Sequence, residues 1–252
     1  MKFLRILAVA AAVLMTSAVA RQAATVQPQP EVAPAPVTVL VAEKPAVAGD
    51  VATGQTKAGV CAACHGLDGN SANPQYPKIA GQHERYLWRQ LQLFKSGERQ
   101  NAIMQGIAAT LTQQDMRDIG AFFATQKSVA GVADDTPITA GPYAGSKFFE
   151  VGERLFRAGK PGTDVPACMA CHGPAGRGNP GPSYPLVGGQ HAAYTTAQLQ
   201  FFRSGGAWGK DARANLIMAE VARNLTDEDI QGLATYLEGL HHVSAPSTAE
   251  AR

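Results

Sequence analysis

Between residues 84 and 97 the apolar side chains fall at Leu87, Leu91 and Phe94, a spacing that puts them on one side of an α-helix, and Gly97 stands where a helix C-cap is expected. A second stripe, Met116, Ile119 and Phe123, follows Thr112, and Asp115 three residues after it completes a start like a capping box. Ile230, Leu233 and Leu237 form the same stripe after Thr226 and Asp229. Asp50 is placed to cap a helix running into Cys61, and Ser146 to cap one through "KFFEVGERLFRAG". No alternating apolar and polar stretch of useful length occurs, so the pattern predicts an all-α chain.

The pattern is also written twice. Residues 76–97, "YPKIAGQHERYLWRQLQLFKSG", match 184–205, "YPLVGGQHAAYTTAQLQFFRSG", at an offset of 108. The match resumes at an offset of 114, with "NAIM" at 101 against "NLIM" at 215 and "LTQQDMRDIGAFFA" at 111 against "LTDEDIQGLATYLE" at 225. The six extra residues of the second copy fall around "GAWGKDAR", a Gly-rich and loop-like stretch. The chain therefore reads as two tandem helical units, 49–128 and 144–241, joined by a linker over 129–143 and followed by a tail over 242–252. Each unit has so few large apolar residues that its own core is marginal, a size at which domains commonly need a staple.

The first 20 residues have Lys2 and Arg5, an apolar run from Ile6 to Met15 and small residues at Ala18 and Ala20, the three-part layout of a secretory signal. The run is shorter than the roughly 20 residues that span a bilayer. The expected location is the periplasm, with membrane association if the segment is retained as an anchor. Residues 21–48 are rich in Pro, Ala and Val without periodicity and read as a linker or tail. Loss of Lys2 and Arg5 with the signal leaves 20 basic against 20 acidic side chains, interspersed and without a polybasic run. Nothing in this balance fits a nucleic-acid partner.

All four cysteines lie in two hexapeptides, "CAACHG" at 61–66 and "CMACHG" at 168–173. A thioredoxin-like dithiol needs a βαβ context, which these helical surroundings lack. A zinc site needs four ligands close together, and one motif offers at most three. The third chemistry is covalent haem attachment, for which Cys-x-x-Cys-His is the signature: the thiols of Cys61 and Cys64, and of Cys168 and Cys171, form thioethers, and His65 or His172 binds iron. Two copies in an exported chain with no spare cysteine favour this reading, with two c-type haems as cofactors.

The sixth iron position separates a carrier from an enzyme. Met116 becomes Ile230 in the repeat and Met169 sits inside a motif, which leaves Met104 and Met218, equivalent residues in stretches that read as loops. The competing reading is that both methionines are core fillers. His83 and His191 also repeat, in "GQH", but at helix starts where packing explains them. A ligating histidine usually gives its other N–H to a carbonyl. The repeated Pro-x-Tyr-Pro segments, "NPQYP" at 73–77 and "GPSYP" at 181–185, are rigid enough to present one, and Pro74 and Pro182 are the expected residues.

With both Cys-x-x-Cys-His-Gly motifs, the doubled "YP…GQH…Y…QL…F…SG" segment and the doubled "M…LT..D" segment, residues 48–241 resemble the dihaem cytochrome c4 family. The resemblance implies two small all-α cytochrome c domains with facing haem edges, and ligand pairs His65 with Met104 and His172 with Met218. It also implies a periplasmic electron carrier that is not an enzyme, has no organic substrate, and serves an electron donor and a terminal oxidase in a respiratory chain. The alternatives are a cytochrome subunit of a larger oxidoreductase and a dihaem peroxidase, which needs one open iron. The long Pro/Ala-rich segment before Asp50 departs from the family.

Overall fold

A computed structural model describes residues 46–210 and 215–241. The expected signal, most of the expected tail that follows it, positions 211–214 of the second unit's insertion and the C-terminal tail lie outside the described residues. Those described hold ten helices and no strand, only isolated bridges such as Asn179 with Tyr184.

In the first unit α1 (Val51–Lys57) starts at Asp50, whose carboxylate accepts the Thr53 amide at 2.7 Å. The expected continuous helix into Cys61 is instead two short ones, because the chain turns at Ala58 before α2 (Gly59–His65). α3 (Glu84–Lys95) and α5 (Gln113–Thr125) follow the apolar stripes, with α4 (Ala102–Ala109) between them. The second unit repeats the plan with α6 (Phe148–Ala158), α7 (Met169–His172), α8 (Ala192–Arg203), α9 (Ile217–Ala222) and α10 (Asp227–Gly239). The cap of α6 is Lys147, not the expected Ser146: its amide donates to Glu150 Oε2 at 2.9 Å, so an acid three residues on does the capping. Thr112 and Thr226 both form full capping boxes, with Asp115 and Asp229.

Two cores result, one per unit. Met116, Ile119 and Phe123 of α5 pack with Leu87, Leu91 and Phe94 of α3. Ile230, Leu233 and Leu237 of α10 pack with Val151, Leu155 and Phe156 of α6. Burying each such side chain stabilises by about 1.5–3 kcal/mol. The first helix of each unit crosses the last so closely that only glycine fits. A Cβ on Gly54 would overlap the Asp118 carbonyl oxygen, and one on Gly152 the Gly232 carbonyl oxygen. A lysine ties each crossing: Lys57 Nζ lies 2.9 Å from Asp118 Oδ2, and Lys160 Nζ lies 2.6 Å from Asp229 Oδ2.

The units meet through an approximately two-fold exchange. Gln82 accepts the Leu186 amide and donates to the Leu186 carbonyl, both at 3.0 Å. Gln190 does the same with Lys78, at 2.9 and 2.8 Å. His191 Nε2 is 2.8 Å from the Ser71 carbonyl oxygen, and Arg85 donates to the Gly181 carbonyl at 2.9 Å.

Candidate functional site

In each unit the two motif cysteines are three residues apart, about one helical turn, which brings both thiols to one side of the chain. Cys61, Cys64 and Cys168 line a cavity; Cys171 is exposed at its own motif. Burial pushes the Cys61 and Cys168 thiols up to about 11, with a smaller push at Cys61 from Cys64. The shift has the opposite sign to that of an activated, reactive cysteine. Among the described residues no three His, Cys, Asp or Glu side chains gather to hold a bare metal ion.

His65 and His172 end α2 and α7 and are both buried. Their Nδ1 atoms lie 2.8 Å from the Pro77 carbonyl oxygen and 2.9 Å from that of Pro185. A carbonyl only accepts, so each Nδ1 carries the proton and each Nε2 keeps a lone pair for a metal. Burial lowers the imidazole pKa in both, and the carbonyl bond partly offsets this.

The expected acceptors Pro74 and Pro182 are therefore corrected to Pro77 and Pro185, the second proline of each Pro-x-Tyr-Pro segment. The chain just past that proline is pinned back: the Ile79 and Ala80 amides both donate to the Gly69 carbonyl, as those of Val187 and Gly188 do to Gly176. Gly69 adopts φ +82° and Gly176 φ +65°, where a Cβ would be strained and would crowd Ala80 or Gly188. The tyrosines between the prolines pack on the histidine rings, Tyr76 edge-on at 6.3 Å and Tyr184 tilted at 6.3 Å. The repeated segment was visible in the sequence, but which of its prolines faces the ring depended on this pinning.

Met104 and Met218 lie on helices α4 and α9, not in loops. Asn101 makes the difference at Met104: its side-chain oxygen accepts the Met104 amide at 2.9 Å and starts the helix. Both methionines line the same cavity as His65 and His172, and both are partly buried against their unit's core. His83 and His191 cap α3 and α8 and do not line it.

The cavity is continuous across both units and measures about 1240 Å³, above the roughly 300–1,000 Å³ of an ordinary small-molecule pocket. Its walls are mainly apolar, from Leu87, Leu91 and Phe94 on one side to Leu199, Phe202 and Leu237 on the other. The charged side chains on it are Lys78, Arg89, Arg99 and Lys210 against one carboxylate, Glu98. Gln90 adds a buried Nε2 with no partner, a donor whose neglect costs about 1–3 kcal/mol. Apolar walls, two thiol pairs, two buried histidines whose tautomer leaves a lone pair on Nε2 and an excess of donors fit two flat apolar macrocycles with anionic carboxylates. The residues present thus fit two c-type haems, one to each Cys-x-x-Cys-His motif.

Fold and site together define a double cytochrome of tandem all-α haem domains. The family model described as cytochrome c matches residues 51–127 and 149–241. Cytochrome c4 of Pseudomonas aeruginosa is 43% identical over 198 residues, covering 77% of this chain and 90% of that one. The crystal structure of reduced recombinant cytochrome c4 from Pseudomonas stutzeri superposes with a TM-score of 0.68 at 43% identity, over 77% of this chain and all of that one. A thiosulfate dehydrogenase electron acceptor of Stutzerimonas stutzeri is 36% identical over 177 residues, 70% of this chain and 76% of that one. The chain belongs to the cytochrome c4 family and is a dihaem electron-transfer cytochrome whose partners are redox proteins.

Proposed function

We propose that the chain works in the periplasm as an electron carrier, not an enzyme, taking electrons one at a time from a donor protein and passing them towards a terminal oxidase. Each haem supplies a one-electron ferric–ferrous couple when bound. In this reading the chain's own side chains do the rest. His65 and His172, oriented by Pro77 and Pro185, offer Nε2 to the metal. Met104 and Met218, on the same cavity, would supply a sulfur to each iron and keep other ligands off it, and the apolar walls would exclude water. Thioether sulfur is a soft ligand that favours the reduced state, as befits a carrier working at elevated potential. The observation behind the proposal is the single cavity lined by both histidines and both equivalent methionines. The signal-like first 20 residues support export, and among the described residues no helix is long and apolar enough to cross a membrane.

The thiosulfate dehydrogenase electron acceptor among the relatives favours a second reading, in which the donor is a dehydrogenase that holds this cytochrome as a companion subunit. Co-purification of a stable partner separates the two.

The deciding experiment is the optical spectrum of the fully reduced dihaem protein before and after carbon monoxide. The expected result is no prompt change at either haem. Prompt binding at one haem means an open iron and replaces the carrier with an enzyme or sensor.

A further inference from the structure

The stretch that breaks the internal repeat has a structural counterpart in the other unit. Trp208, in the second unit's insertion, packs on Phe202 with ring centroids 5.0 Å apart and stacks beside Phe201 at 6.2 Å. On its face, 3.7 Å from the ring centroid, lies the guanidinium of Arg99 from the first unit. The Phe94 ring is 4.6 Å from the same guanidinium. Arg99 Nη1 donates to Gln90 Oε1 at 2.8 Å within its own unit, and Nη2 donates to the Tyr194 hydroxyl at 2.9 Å in the other. The turn that bears Arg99 is docked as well, since the Lys210 amide donates to Glu98 Oε2 at 3.0 Å.

Glu98 is the one acidic side chain among them, and its Oε2 is taken by the Lys210 amide. Tyr86 and Tyr194, equivalent residues of the two units, stand at the same junction. So does Gln90, whose Oε1 is taken by Arg99 while its Nε2 is buried without a partner. Each Nη of Arg99 has a second N–H beyond its bond to Gln90 or Tyr194, and an aromatic-clamped guanidinium beside the orphan Gln90 Nε2 suits a carboxylate, because the rings remove competing water. Arg99 comes from one haem unit and is held by the other, so it places one fixed positive charge at their shared boundary.

We infer that Arg99, held on Trp208, pairs with haem carboxylates where the two sites meet and raises the reduction potentials of the pair. The inference rests on the two-haem reading above. A cation in a low-dielectric site favours the state with one more electron, so removing it moves the couple down.

The test is a spectroelectrochemical titration of the purified dihaem protein, wild type beside Arg99→Gln, Arg99→Lys and Trp208→Leu. Arg99→Gln is expected to shift the titration to lower potential. Arg99→Lys, which keeps the charge, should retain most of the wild-type potential, and Trp208→Leu, which frees the guanidinium, should reproduce part of the downward shift. A titration of Arg99→Gln that overlays the wild type overturns the inference, even if the variant melts earlier, because a purely structural clamp changes stability alone. If Arg99→Gln does not accumulate with its haems, Trp208→Leu decides, and unchanged potentials there overturn the inference. Haem content of the wild type, measured on the same sample, tests the underlying reading separately.

Discussion

Gln82 and Gln190 occupy the same place in their respective units, and each spans the interface to hold both backbone groups of one residue in the other: Leu186 for Gln82, Lys78 for Gln190. Both glutamines are buried. An amide is the side chain that can donate and accept at once, which is what a lone residue's N–H and C=O require. Because Lys78 and Leu186 directly follow the prolines that orient the haem histidines, the same bonds join the two sites mechanically.

Gln82→Leu and Gln190→Leu each strand two backbone groups at the interface, and each is expected to cost about 1–3 kcal/mol. Calorimetry is expected to give one transition for the wild type and two for the double variant. A single unchanged transition in the double variant would show that other contacts hold the units together.

Gly54→Ala and Gly152→Ala gain about 1 kcal/mol of helix propensity. The new methyl meets a carbonyl of the crossing helix, however, and overpacking of this kind costs typically 1–3 kcal/mol. Both variants are expected to melt below the wild type, while Gly59→Ala, where a Cβ meets nothing within 4 Å, should not. Equal melting of all three would refute the crossing argument.

Asp229 is fully buried and bonded to Lys160 and Tyr143. Burial by itself raises its carboxyl pKa, but the bonds from Lys160, the Thr226 segment and Tyr143 outweigh this and hold it below the ordinary carboxylate range. A depressed carboxyl contributes stability that is complete above its unfolded pKa of roughly 3.9 and is lost as pH falls through the lower folded value. Asp229→Asn should therefore destabilise at neutral pH by on the order of 2 kcal/mol. Denaturant titrations at descending pH should show the gap to wild type closing only below about pH 4; a gap independent of pH would assign the loss to packing.

Met104→Ala is expected to admit carbon monoxide to one of the two reduced haems and Met218→Ala to the other, each leaving its neighbour's spectrum intact. The absorbance change at saturation measures this directly. A Met104 variant that still excludes carbon monoxide would return that methionine to the core.

The stripes at Leu87, Leu91 and Phe94 and at Met116, Ile119 and Phe123 were legible because helix periodicity and capping are local: each depends on residues within a turn of one another. The haem motifs were legible for the same reason, since the chemistry of Cys-x-x-Cys-His fits within five residues. Met104 read as a loop residue because α4 is short and its start depends on a single asparagine. Pro77 takes the place expected of Pro74, because spacing cannot show which carbonyl of a rigid segment faces a ring twelve residues away.

By itself, then, the sequence determined the doubled helical plan, the four thiols, the two histidines and the pair of equivalent methionines. Tertiary structure alone decided that both sites open into one cavity, that Gln82 and Gln190 exchange partners, and that Arg99 reaches Trp208. Those contacts join residues about a hundred positions apart. No local propensity encodes them, because they form only once two independently patterned units have buried their cores and brought their remaining polar groups face to face.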